Sequence, residues 1–126
     1  MKWTTTITGI GSEAISEKDD LVILFGEQAT DEIKEVAVIH RFDDKHVSQN
    51  FTFKNEDIVI IDGRVFSALY VGAMVVSNIK AIAHAVLVFT DKIPKHPMQN
   101  TIYLDKPVSE PMPKFDIGSE IVFEHK

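Results

Sequence analysis

Histidine is the most versatile reactive side chain of this sequence, which contains five histidines and no cysteine. The lack of thiolates excludes disulfides, cysteine-based zinc fingers and iron–sulfur ligation by cysteine. Any nucleophile must then be Ser, Thr, Asp, Glu, Lys, Tyr or His. Neutral imidazole has a free nitrogen lone pair near pH 7, so it suits nucleophilic and acid–base chemistry alike.

His40 and His84 differ from the other histidines because each lies in an apolar segment with the pattern of a β-strand. A polar ring in such a place is costly unless it is hydrogen-bonded. One interpretation is a hydrogen-bonded histidine in or beside the core. The other is a nucleophilic imidazole at a strand end, held by packing and open on one nitrogen. The residues alone leave both interpretations open.

The remaining histidines indicate no site of their own. His96 lies in a loop that we expect to be exposed, and His125 is the penultimate residue, where we expect a frayed end. His46 follows His40 by six residues, with two aspartates between them. Two imidazoles and a carboxylate are metal-ligand types, but this spacing matches no established zinc motif. We therefore predict no metal and no cofactor, and a metal-dependent enzyme using His40 and His46 is the weakest alternative.

Composition and charge exclude several classes of protein. The 126 residues, 44% hydrophobic and 25% charged, fit a single globular domain spanning residues 1–126. The net charge of −6 argues against non-specific nucleic-acid binding. The longest uncharged, mostly apolar stretch runs from Val65 to Ser77, shorter than the roughly 20 residues of a membrane-spanning helix. Met1 to Thr5 has no signal-peptide core, so we expect a cytoplasmic protein without direct membrane insertion.

Alternation of apolar and polar residues predicts about nine short strands. The predicted strands are Trp3 to Ile10, Leu21 to Phe25, Val36 to Phe42, Phe51 to Lys54, Ile58 to Ile61, Arg64 to Val71, His84 to Thr90, Thr101 to Leu104 and Glu120 to Glu124. Asp62-Gly63 between two of them is the strongest hairpin signal. Helical spacing of apolar residues predicts one short helix, Val75 to Ala83, and Thr30 or Asp31 can cap a single further turn. The expected fold is mainly β, a small closed or nearly closed barrel of short antiparallel strands.

The predicted strands position His40 near a strand end. Period two places Val38, His40 and Phe42 on one face, and Ile39 and Arg41 on the other. Polar residues follow directly, so the ring is expected at the rim of the barrel, between packed strand and solvent. Packing from Val38 and Phe42 would limit its rotamers. Arg41, on the opposite face, is a poor first choice for a group that steadies a bound anion.

Segments along nearly the whole chain, in order and with similar gaps, resemble those of one protein family. They are Thr4 to Gly11 with Ala14-Ile15, Val38-Ile39-His40, Val71-Gly72, Asn78-Ile79, His84 to Phe89, Pro107-Val108 and Gly118 to Glu124. Together they resemble the enzyme IIA component of the glucitol/sorbitol-specific sugar phosphotransferase system. Val38-Ile39-His40 looks like that family's phosphorylated-histidine segment.

The resemblance implies a phosphotransferase component that carries a phosphoryl group. Such a protein accepts the group from the phosphocarrier protein HPr and passes it to the IIB part of a IIB/IIC membrane permease, which phosphorylates the incoming hexitol. The resemblance implies that His40 is the phosphoryl acceptor and that His84 is a candidate partner of unassigned role. It leaves open whether the protein forms a homo-oligomer. Phe42 departs from the family pattern, since relatives place a second histidine there.

A different class of function competes with this one. A non-enzymatic β-barrel that binds a small ligand or regulates a partner would use His40 only as a core residue. Phosphate incorporation from phosphoenolpyruvate through enzyme I and HPr discriminates the two, because only a carrier gains the mass of a phosphate.

Overall fold

Short strands that close on themselves form the body of the protein. The computed structural model describes residues 1–16 and 18–126. The strands are β1 (Lys2–Ile10), β2 (Leu21–Phe25), β3 (Val38–Phe42), β4 (Ile58–Ile61), β5 (Arg64–Val71), β6 (Ala85–Thr90), β7 (Thr101–Asp105) and β8 (Glu120–Glu124). Around the barrel their order is β1-β3-β2-β6-β7-β5-β4-β8, and β8 pairs with β1 to close the ring.

The predicted fold class, a mainly β protein with a small closed barrel, is confirmed. The structure differs from the prediction in the direction of two strand pairs. β2 runs parallel to β3, and β6 runs parallel to β7, whereas the other neighbours are antiparallel. Parallel neighbours cannot be joined by a tight turn. Accordingly, a helix connects β2 to β3, and the ten-residue segment between Thr90 and Thr101 connects β6 to β7.

β4 and β5 form the hairpin that Asp62-Gly63 predicts. Asp62 has a φ of 55° and Gly63 a φ of 70°, the left-handed pair that a two-residue I′ turn requires. Ile61 pairs with Arg64 directly beside the turn.

Aromatic side chains fill much of the interior. The ring of Phe51 lies 4.9 Å from that of Trp3 and 5.8 Å from that of Phe123, measured between centroids. The predicted strand from Phe51 to Lys54 is wrong, because these residues are irregular and pair with no neighbouring strand. The alternation there arises because Phe51 and Phe53 both turn into the core.

The segment before β3 also differs from the prediction. Strand pairing begins at Val38, not at Val36, because the capped turn after Thr30 continues as the helix α1 (Asp31–Val36). Of the two capping residues that the sequence allows, Thr30 is the one observed: its hydroxyl accepts a hydrogen bond from a backbone N–H one turn later, over 3.3 Å. Ala37 and Ile39 pack in a small second cluster, separate from the main core. As a result, the first three residues of β3 are buried on both faces.

The predicted helix from Val75 to Ala83 is present as α3 (Val75–Ile82), and it buries Val75 and Ile79. With α1 and the four-residue α2 (Val47–Asn50), the described residues contain three helices, not one. Within that part of the chain, no helix has the length and apolar character needed to cross a membrane.

Candidate functional site

β3 carries His40 into the interior of the fold. Val38 belongs to the main core, and His40 lies two residues further along the same face. His40 pairs with Ile7 of β1, and the start of β3 lies alongside β2 through the Phe25–Ile39 pair. The His40 residue is only 1% exposed. The expectation of a partly exposed ring at the rim is therefore wrong, because the C-terminal end of α3 contacts the ring.

One nitrogen of His40 is fixed by a hydrogen bond and the other has no partner. Nε2 lies 2.7 Å from the backbone carbonyl oxygen of Ala83. A carbonyl only accepts, so Nε2 must carry the hydrogen and the neutral ring has its lone pair on Nδ1. Among the described residues, no group forms a hydrogen bond with Nδ1, which is buried. The ring is thus held in the tautomer that has its lone pair on Nδ1.

Burial also determines the charge of His40. Desolvation lowers its pKa from 6.5 to about 4, although the hydrogen bond to Ala83 opposes this shift. At neutral pH the ring is therefore uncharged. An uncharged imidazole can attack an electrophile without first losing a proton.

Ala83 can accept this hydrogen bond because it terminates α3 in an unusual conformation. Its φ of 55° and ψ of 31° are left-handed, a conformation that residues other than glycine rarely adopt. The backbone N–H of Gly26 donates to the carbonyl of Ile82 over 3.0 Å. A Cβ at Gly26 would lie 2.9 Å from that oxygen, so the close approach requires glycine. The end of β2 and the end of α3 are thereby held together beside His40.

A cavity of about 210 Å³ lies at this junction. His40 and Phe42 line it from β3, and the turn after β2, the last turn of α3 and Val47 of α2 complete the wall. Its charged lining residues are Glu27, Arg41 and Lys80. Sequence reasoning missed Gly26, Lys80 and Ala83, and only the helical pattern around Lys80 offered a signal.

The structure places His84 next to the residue that His40 contacts, but it does not place His84 in the wall of this cavity. Nδ1 of His84 donates to the carbonyl of Leu24 over 2.9 Å, and its ring lies 4.8 Å from that of Phe25. These contacts hold His84 against β2.

The other candidate residues do not join the site. His46 and His96 are exposed. His125 is not frayed, because its Nδ1 lies 2.6 Å from a carboxylate oxygen of the buried Asp57. Within residues 1–16 and 18–126, no group of three or more His, Asp or Glu side chains is arranged to hold a metal ion.

Phe42 follows His40 by two residues on the same face of β3. Its ring centroid lies 5.5 Å from that of His40 and 5.8 Å from that of Phe123. Phe42 thus links His40 to the aromatic core. It provides a wall of the cavity and no second imidazole.

Comparison with known proteins gives two consistent matches. The model of the family "PTS system glucitol/sorbitol-specific IIA component" matches residues 2–122. A solved structure from Enterococcus faecalis V583, described as a PTS system IIA component, is 32% identical. It superposes with a TM-score of 0.85, covering 97% of this chain and 99% of the other. A search of curated proteins gives no significant match.

Proposed function

Because this chain belongs to the glucitol/sorbitol-specific IIA components of the sugar phosphotransferase system, we propose that it carries a phosphoryl group on His40. The proposed donor is phospho-HPr in the cytoplasm. The proposed acceptor is the IIB component of a IIB/IIC permease that takes up and phosphorylates glucitol (sorbitol). His40 supports this proposal best, because it is neutral, is fixed in one tautomer by Ala83 and has no partner at Nδ1 among the residues that the structure describes.

In the proposed transfer, the Nδ1 lone pair of His40 attacks the phosphorus of phospho-HPr. The new N–P bond forms as the P–N bond to the HPr histidine breaks, and that histidine keeps the bonding electron pair. Nε2 retains its hydrogen, so the phosphorylated ring carries a positive charge. The Ala83 carbonyl and the negative C-terminal end of α3 stabilise that charge. Catalysis then depends on position and electrostatics, as is general for phosphoryl transfer.

Nδ1 is buried, so the donor phosphorus can reach it only after a local opening. Phe42 lines the cavity beside His40, is only partly buried and belongs to the last residue pair of β3 with β1. Displacement of its ring is the proposed route to the imidazole. The reaction in this scheme needs no metal and no cofactor.

The test is incubation with phosphoenolpyruvate, enzyme I and HPr, followed by mass spectrometry of the intact protein. We expect a gain of one phosphoryl group, lost in acid and retained in base, as for a phosphoramidate. His40→Gln and His40→Ala should abolish the gain, whereas His46→Ala and His96→Ala should retain it. His40→Gln keeps a donor for the Ala83 carbonyl, so it separates loss of chemistry from loss of folding.

The full burial of His40 is also what a core histidine in a non-enzymatic ligand-binding or regulatory barrel would show. The same assay decides between the two functions. A folded wild-type protein that takes up no phosphate, with a His40→Ala variant destabilised by more than about 2 kcal/mol, would support the core role. Phosphate uptake by a folded His40→Gln protein would instead show that another residue accepts the phosphoryl group.

A further inference from the structure

The cavity beside His40 has a positive lining in an otherwise acidic protein. The net charge of the chain is −6. Glu27 and Arg41 lie 4.0 Å apart and largely neutralise each other. Lys80, the other charged residue of the lining, has no carboxylate within ion-pair distance among residues 1–16 and 18–126. Lys80 is therefore the charged residue of this lining whose charge is not balanced by an ion pair among the described residues, and His40 lines the same cavity.

The end of α3 at this site does not favour an anion. The cavity lies at the C-terminal end of α3, where exposed carbonyl groups repel negative charge. The Gly26 N–H, which could have donated to an anion, is already bonded to the carbonyl of Ile82. A phosphoryl group on His40 would bring about two negative charges into this place. The positive charge of the phosphorylated ring offsets one of them, and a side-chain cation would offset the other.

Of the two lysine and arginine side chains in the lining, Lys80 is the better placed. Arg41 lies on the face of β3 opposite His40, is 60% exposed and pairs with Glu27. Lys80 is half-buried in the last turn of α3, next to Ile79, which packs in the core. Its four-carbon stem is flexible and carries a compact charge, so it can follow a phosphoryl group as this moves onto Nδ1.

We propose that Lys80 binds the phosphoryl group during its transfer to His40 and in the phosphorylated state. The proposal rests on the function proposed above and adds a second catalytic residue to it. A lysine in the last turn of a helix also has an ordinary role, since it interacts favourably with the carbonyl end. The experiment must therefore separate anion binding from helix stabilisation and from HPr docking.

Transfer kinetics with increasing phospho-HPr provide the first measurement. Lys80→Met should lower the rate at saturating phospho-HPr about tenfold, the effect of one lost charge-assisted contact. Lys80→Arg should recover most of the rate, and Lys95→Met, which removes an exposed lysine from a loop outside the cavity, should leave it unchanged. An effect on KM alone would assign Lys80 to docking, and an effect on stability alone would assign it to the helix. Either result would overturn the proposal.

Titration with inorganic phosphate is the second measurement and requires no phosphotransfer. In ¹H–¹⁵N spectra, phosphate should shift the amide signals around His40 and Lys80, and Lys80→Met should weaken this binding about tenfold. Equal shifts in wild type and Lys80→Met would refute the role of Lys80. If the wild-type protein were not phosphorylated at all, the proposed function would fail, and this titration alone would decide whether Lys80 forms an anion site.

Discussion

The Nε2–H of His40 points to the carbonyl of Ala83, 2.7 Å away, so the end of a helix determines which nitrogen of the imidazole is free. His40 belongs to β3 and Ala83 follows α3, 43 residues later in the chain. The hydrogen bond therefore joins two elements that pack only in the folded barrel. It couples the tautomer of the proposed acceptor to the geometry of a left-handed helix terminus.

The first prediction concerns the position of the phosphoryl group. Because Nε2 holds the hydrogen, phosphorylation should occur on Nδ1 and give the 1-phosphohistidine isomer. Two-dimensional ¹H–¹⁵N correlation spectra of the imidazole distinguish the isomers directly. A 3-phosphohistidine would mean that the bond to Ala83 breaks before transfer, contrary to our assignment.

The second prediction is a dependence of stability on pH. The pKa of His40 is about 4 in the folded protein and near its ordinary value of 6.5 when unfolded. Between these values the unfolded chain binds a proton that the folded chain does not. The contribution of His40 to the free energy of unfolding is therefore full above pH 6.5 and declines as the pH falls towards 4. From pH 7.5 to pH 4.5 this residue should lower the free energy of unfolding by about 2–3 kcal/mol.

Urea unfolding at both pH values measures this decline. His40→Gln has no titrating ring and should lose about 2 kcal/mol less than wild type over the same interval. His96→Ala, a control at an exposed histidine, should show the wild-type decline. Identical pH dependence in wild type and His40→Gln would refute the lowered pKa.

The third prediction tests the left-handed residue at the end of α3. Ala83→Gly should be neutral or stabilising by up to about 1 kcal/mol, because glycine adopts a positive φ without steric cost. The matched variant Ala81→Gly lies within α3 and should lower stability by about 1 kcal/mol. Chemical denaturation measures both. A larger loss of stability for Ala83→Gly than for Ala81→Gly would contradict the strained left-handed conformation of Ala83.

The fourth prediction concerns access to His40. Diethyl pyrocarbonate, which reacts with neutral imidazole, should modify the exposed His46 and His96 much faster than the buried His40. Phe42→Ala should accelerate modification of His40 about tenfold or more, while Phe42→Leu should have a smaller effect. Peptide mapping by mass spectrometry gives the order of modification. If His40 reacted as fast as His46 in the native protein, the imidazole would already be accessible.

Phe42→Ala also has a stability cost that the experiment must take into account. Complete loss of a buried phenylalanine side chain costs about 3–5 kcal/mol, and Phe42 is only partly buried, so the lower end is expected. Unfolding curves should therefore be recorded first, and modification measured under conditions where the variant is folded.

The fifth prediction assigns a structural role to the pair His125–Asp57. Burial raises the pKa of Asp57, but hydrogen bonds from His125 and from the backbone N–H groups of Lys126 and Lys54 outweigh it and lower the pKa below 3.8. The stabilisation that results is full above pH 3.8, and it is lost as the pH falls through the lower pKa that Asp57 has in the folded protein. His125→Ala should cost about 1–2 kcal/mol at pH 7.

Phosphate uptake provides the control for this pair. His125→Ala should accept phosphate at the wild-type rate when folded, because His125 does not line the cavity beside His40. A thermal melt of His125→Ala that matched wild type would show that the His125 side chain contributes nothing to stability.

Much of the fold could be predicted from local sequence because strands and turns have local signals. Asp62-Gly63 predicts its hairpin since few residues adopt a positive φ easily. The spacing of Val75 and Ile79 predicts α3 because one face of a helix must be apolar to pack on a core. The alternation of Phe51 and Phe53 led to the wrong prediction of a strand. Residues that face the core can alternate along an extended segment even when that segment pairs with no strand.

His40 was identifiable as a candidate from its residue type, its apolar surroundings and the resemblance around it. Its burial, its tautomer and its neutrality were not, because all three depend on the Ala83 carbonyl and on α3 packing beside β3. The parallel β2–β3 pair and the position of Lys80 in the cavity likewise result from contacts between distant segments. Local sequence determined which side chains could act, and tertiary packing decided which nitrogen is free, because hydrogen-bond partners and desolvation exist only in the assembled barrel.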